Sequence, residues 1–157
     1  MKYDFHREWL TKKFEEIKNR TLRAIDQLDD DQLNWLPDES SNNIPTLLRH
    51  IEGNIKERIM KGFNKAEIIR ERDHEFSRKY MTNEEAESLI KNNLQYVIEL
   101  TRNITGEKLE ESQSVRGKER SNLDMLHQCA AHYSEHMGQI IYITKLYLKD
   151  KYKTTSV

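Results

Sequence analysis

Five glycines and two prolines are all that this 157-residue chain contains, and its apolar side chains recur at intervals of three and four rather than two. Glycine and proline punctuate turns and break regular structure, so a chain this poor in both has few places to reverse and long uninterrupted stretches between them. The apolar period is that of the α-helix, and it predicts an almost wholly helical protein with little support for strands. With 36% hydrophobic residues at this length, one continuous core can close, and a single domain over residues 1–157 is expected.

Four stretches carry the pattern. The first helix is expected from Tyr3 to Leu28, with Phe5, Trp9, Phe14, Ile17, Thr21, Ile25 and Leu28 on one stripe. A connector rich in Asp, Ser and Asn follows, with Pro37 inside it, and Trp35 and Leu36 are expected to fold back over one end of the core. The second helix starts near Ile44, where Asn42 or Asn43 can cap free amides and Pro45 is tolerated in the first turn, and it is expected to stop at Gly62. The segment from Phe63 to Met81 is long for a bundle connection, which suggests a short helix or a cover over a site. Thr82 with Glu85 forms a capping box for a third helix reaching Gly106, and residues Glu107 to Arg120 read as an exposed polar crossing. Ser121 with Asp124 opens the fourth helix. Four amphipathic helices can bury their stripes only against one another, so the expected fold class is all-α, a four-helix bundle.

Charge excludes some partners. The 26 Lys and Arg against 27 Asp and Glu leave a net charge of −1, so no global field draws a polyanion and nucleic acid is disfavoured as the main ligand. Cys129 is the sole cysteine. No intrachain disulfide can form, which suits a reducing compartment. The N-terminal MKYDFHREWLTKKF has no apolar core of a leader, and no apolar run approaches the ~18 residues of a membrane span. The expectation is a cytoplasmic protein with no membrane partner.

Chemistry concentrates in the fourth helix. His132 and His136 in AAHYSEHMGQIIYITK stand one turn apart, only about 40° around the axis, so both imidazoles can reach one divalent cation. Neutral imidazole suits zinc, nickel, iron or manganese in different degrees, zinc and nickel foremost. The competing reading is two half-exposed histidines on a helix flank, and a pair alone cannot hold a metal tightly. His50, mid-helix in LLRHIEGN and about 60° from Leu47, is the candidate third ligand, against the plainer role of a boundary histidine. His127 points about 140° away from His132, His6 lies near a fraying end, and His74 sits in the long loop. Glu135 precedes His136 rather than following His132, so the zinc-protease motif is absent and a solvated carboxylate is its expected role. Asn54, one turn after His50, could orient a substrate or a bound water. Cys129, at the centre of the apolar stripe, reads as a buried, inert thiol. The cluster Arg70, Arg72, Asp73, Glu75 and Arg78 could clamp an anionic substrate, Arg72 being the candidate contact, or pair among itself at the surface.

Four segments carry a family likeness: LNWLP, IPTLLRHIEGN, RDHEFSRKYMTNEE and HQCAAHYSEHMGQIIYITK. Through them the chain resembles the DinB-like (damage-inducible) metal-binding superfamily, which includes bacillithiol transferases and mycothiol-dependent isomerases, and it looks closest to a bacillary branch. The resemblance implies an up-down-down-up bundle whose metal is held by three histidines, at positions matching His50, His132 and His136. It also implies homodimers, a small-molecule substrate and a low-molecular-weight thiol such as bacillithiol. On this reading the chain is a metal-dependent thiol S-transferase or hydrolase. The alternative is a non-catalytic helical dimer that binds metal or a small ligand, motivated by the lack of an evident general base.

Overall fold

A computed structural model describes residues 2–156, and within them the chain is mostly helical. Helix α1 (Asp4–Ile25) is followed by a single turn, α2 (Asp30–Leu33), and then by α3 (Ile44–Ile55). A π-helical segment (Lys56–Lys61) and one further turn, α4 (Gly62–Asn64), extend α3. The long loop carries α5 (Arg72–Glu75), and after it come α6 (Asn83–Asn103) and α7 (Gly106–Glu110). An antiparallel hairpin, β1 (Ser112–Val115) with β2 (Lys118–Ser121), leads into α8 (Asn122–Leu148).

Local chemistry sets the helix starts. The Asn43 side chain accepts from the Thr46 amide at the head of α3, with Pro45 in the first turn where no amide donor is needed. Thr82 and Glu85 form the reciprocal box that opens α6, and Ser121 accepts from the Asp124 amide to open α8. An unforeseen box, Asp29 with Gln32, opens α2.

The four long helices close one core. Helix α1 packs against α6 and α8, and α3 packs against the same two. The C-terminal end of α1 meets the start of α6, where the Asn83 amide donates to the Ile25 and Leu28 carbonyls, while Arg102 near the far end of α6 pairs with Glu15. Phe14, Ile17, Leu48, Ile51, Ile90, Leu94, Leu126, Tyr133 and Ile140 are fully buried between them. Trp35 does fold back on the core, against Tyr147. Among the described residues no helix is long and apolar enough to cross a membrane.

Three expectations are corrected. The buried stripe of α1 begins at Leu10, since Phe5 and Trp9 are exposed. Gly62 does not end the second helix; the chain stays helical to Asn64 and stops where Lys65 turns left-handed, at φ 52°. Gly62 serves instead as a space: a Cβ there would lie 2.2 Å from Gln113 Oε1. The polar crossing is not featureless either, for it folds as α7 and the hairpin. Its turn places Arg116 and Gly117 at φ 51° and 75°, the backbone that a two-residue type I′ connection requires.

The hairpin is tied down at both ends. Gln113 Nε2 donates to Asn122 Oδ1 at 3.0 Å and to the Arg58 carbonyl at 3.4 Å, so the hairpin is fastened to the π-helical segment. Buried Asn122 in turn donates through its side chain to the Lys108 carbonyl and through its backbone to that of Glu111.

Candidate metal centre

One turn of α8 carries His132 and His136 to the edge facing α3, and the middle of α3 brings His50 opposite them. His136 Nε2 lies 2.8 Å from His132 Nε2, and His50 Nε2 lies 3.3 Å from the same atom. The three ring nitrogens all fall within 4.8 Å of one another. Three nitrogens sharing a tetrahedral ion at roughly 2.0–2.1 Å would stand about 3.3 Å apart, so the spacing fits a common cation.

The outer nitrogens of two rings are already engaged. His50 Nδ1 faces Glu75 Oε2 at 3.0 Å, and His136 Nδ1 faces Gln139 Oε1 at 2.7 Å. When both neutral rings donate from Nδ1, their Nε2 atoms keep bare lone pairs turned toward His132 Nε2, which has at most one proton to offer. At least one of the two Nε2 atoms is then left at hydrogen-bond distance from His132 Nε2 with no proton to accept. A cation held by His50, His132 and His136 would satisfy all three nitrogens, and a carboxylate behind a ligating imidazole is the usual means of fixing its tautomer. Burial lowers the His132 pKa to about 4, with neighbouring His136 and His50 adding to the effect, so this ring is neutral at pH 7 as a ligand must be. Burial lowers His50 as well, against the opposing pull of Glu75.

Glu75 comes from α5 in the long loop, which therefore covers the site. Its side chain is only 6% exposed. It accepts from Arg70 Nε at 2.6 Å and Nη2 at 3.0 Å, and Arg70 also pairs with Glu57. The loop sits so close to α3 because residue 53 is glycine: a Cβ there would meet Glu75 Oε1 at 2.0 Å.

Beside His132 a cleft of about 430 Å³ opens between α3, α8 and the hairpin. Asn54 and Cys129 form its inner wall, and the hairpin forms the outer one. The buried Tyr133 hydroxyl donates to Asn54 Oδ1 at 2.9 Å, which holds the amide in place. Burial pushes the Cys129 thiol up to about 11, consistent with an inert sulfur. Tyr133→Phe removes that one donor and leaves a buried acceptor short. We expect a loss of about 1–2 kcal/mol in urea unfolding with metal uptake unchanged.

The other sequence candidates are sorted by position. Arg72 is exposed on α5, and Arg70, two residues earlier, is the arginine that reaches the site. Arg78 donates to the Glu39 carbonyl, away from the histidines. His74 and Glu135 are exposed. His6 and His127 pair with each other at 3.0 Å, with Trp9 against the His127 ring, and take no part in the tripod. The length of the loop from Phe63 to Met81 marks it as a cover, but the pairing of Glu75 with His50 and the hairpin's part in the cleft have no signal in the residue pattern.

The family comparison agrees with a chain matched nearly end to end. The chain belongs to the family described as a protein of unknown function, DUF1572, whose model spans residues 4–157. No curated protein and no solved structure matches it.

Proposed function

We propose that this DUF1572 chain is a metal-dependent enzyme of the DinB-like superfamily, in which His50, His132 and His136 hold one divalent transition ion, zinc or nickel, with a coordination position open to the cleft. The convergence of three Nε2 atoms, two of them with Nδ1 already committed, carries this reading. An up-down-down-up bundle is part of it. The pairing of the end of α1 with the start of α6, and of His6 and Phe14 on α1 with His127 and Tyr133 on α8, supports that course.

A small-molecule thiol S-transfer, with a low-molecular-weight thiol such as bacillithiol, is the reaction favoured over hydrolysis. A divalent ion held by His50, His132 and His136 would supply the acidity that keeps a coordinating thiol as thiolate at neutral pH. The residues around it then need only orient the thiol and exclude water. That suits a cleft with no carboxylate among its described lining, since metal-assisted hydrolysis commonly recruits a neighbouring Glu as base. Asn54, fixed by Tyr133, is placed to hold a polar group of the substrate. The cytoplasm and a homodimeric state complete the proposal.

The absence of a carboxylate from the cleft's described lining also favours a second reading, a non-catalytic metal- or ligand-binding dimer. Elemental analysis of tag-free protein, reconstituted and desalted, should find about one transition ion per chain. Turnover of thiol and electrophile pairs should then disappear on chelation. Failure to take up metal overturns the enzyme; metal uptake that raises thermal stability without turnover selects the second reading.

A further inference from the structure

We infer that the cleft beside His132 is a receptor for a small anion, a carboxylate or phosphoryl group carried by the molecule whose reacting atom is presented to the histidines. The presentation to a metal rests on the function proposed above; the anion receptor does not.

The charge of the lining is one-sided. Arg58, Arg116, Lys118 and Arg120 surround the cleft, and no Asp or Glu is among its described lining residues. The chain as a whole is nearly neutral, at −1, so this imbalance does not follow from composition. Arg120 is partly offset by Asp124 at 2.6 Å. Arg58, Arg116 and Lys118 make no ion pair among the described residues, in a chain whose other surface cations are often paired.

Three unpaired cations on an open surface would simply be solvated. Here they rim a concavity whose floor is buried protein, with Cys129 at 2% exposure, and a low-dielectric wall concentrates their field on whatever enters. They also arrive from two separate elements held in fixed relation. Arg58 stands on the π-helical segment, a wide turn of the kind that recurs at functional sites. The hairpin supplies the others, and Gln113 bonds it to the Arg58 carbonyl. A volume of about 430 Å³ is that of a small-molecule site. The anion is therefore on a small molecule, and His132 at the cleft wall sets where its other end lies.

Calorimetric titration of the full chain, metal-free and zinc-loaded, with inorganic phosphate and separately with succinate tests this. Saturable, salt-sensitive binding is expected in both forms, and the tighter of the two probes identifies phosphoryl or carboxylate as the preferred group. Arg58→Gln should weaken that binding by about tenfold or more, the loss of a charge-assisted hydrogen bond. The double variant Arg116→Gln/Lys118→Gln, on exposed hairpin positions, should do the same and covers the case in which Arg58→Gln folds poorly. Lys91→Gln, a paired surface cation on α6, should leave binding unchanged. Absence of binding by both probes, or binding indifferent to the hairpin double variant, overturns the receptor. Anion binding in a protein that takes up no metal would overturn the proposed enzyme and leave the receptor standing.

Discussion

His132→Ala leaves the reconstituted protein with background transition metal, where the parent chain retains about one ion after desalting. His132 stands between the other two imidazoles, at 2.8 and 3.3 Å, so its loss does more than remove one donor. The remaining imidazoles then belong to different helices, with nothing bridging them. Losing an outer hydrogen-bond partner of a ligand costs about 10–100-fold in affinity, and losing a ligand from a set of three should exceed that. Competition against a chromophoric chelator measures the constant, and elemental analysis gives the stoichiometry. His127→Ala removes an equal number of imidazoles from the same helix and should leave both quantities unchanged, because His127 is engaged with His6. Full metal occupancy in His132→Ala, or equal loss in both variants, would show that the ion binds elsewhere.

Gly53→Ala is expected to reverse the ordinary sign of its substitution. Inside a helix, alanine is favoured over glycine by about 1 kcal/mol. Residue 53 is an interior position of α3, yet the added methyl would stand 2.0 Å from Glu75 Oε1 and 2.6 Å from Cδ. Glu75 has little room to retreat, since it is buried and bonded to Arg70 on its other side. The loop must lift. His50 then loses the partner at Nδ1, and Arg70 loses its carboxylate. We expect a net destabilisation of about 1–3 kcal/mol in denaturant unfolding, the scale of a broken buried polar network. A fall of about 10–100-fold in metal affinity should accompany it. Glu75→Gln keeps the shape of the side chain and should reproduce the loss of affinity with a smaller loss of stability. A more stable Gly53→Ala protein with unchanged metal affinity would mean that α5 does not lie on α3 in solution.

The tripod was readable because two of its members are four residues apart, and helical geometry alone brings such a pair together. His50 could be nominated from its flank on α3, but only the packing of α3 on α8 brings it opposite the pair. Caps were equally readable, since Asn43, Thr82 and Ser121 act on amides three residues away. Glu75 reaches His50 across 25 residues of chain through an irregular loop. No period governs direction there, which is why Arg72 and not Arg70 stood out as the contact. The π-helical segment breaks the 3.6-residue phase after Ile55, so a regular projection misplaces Arg58. The hairpin has no signature in the sequence because its strands have four residues each and are mostly exposed, leaving no alternation of apolar side chains to count. Gly62 reads in sequence as a helix terminator, whereas its missing side chain makes room for Gln113.

The three imidazoles and the cationic hairpin beside them are built on separable pieces of chain. His50, His132 and His136 stand on α3 and α8, whereas Arg116 and Lys118 belong to a short ribbon between α7 and α8 that holds itself together by its own ladder. Residues at the ribbon's tip can be exchanged, or its length altered, without displacing an imidazole. If the proposed function holds, changes in the segment 112–121 would alter which guest is admitted while leaving the three imidazoles in place, and an engineer would begin there.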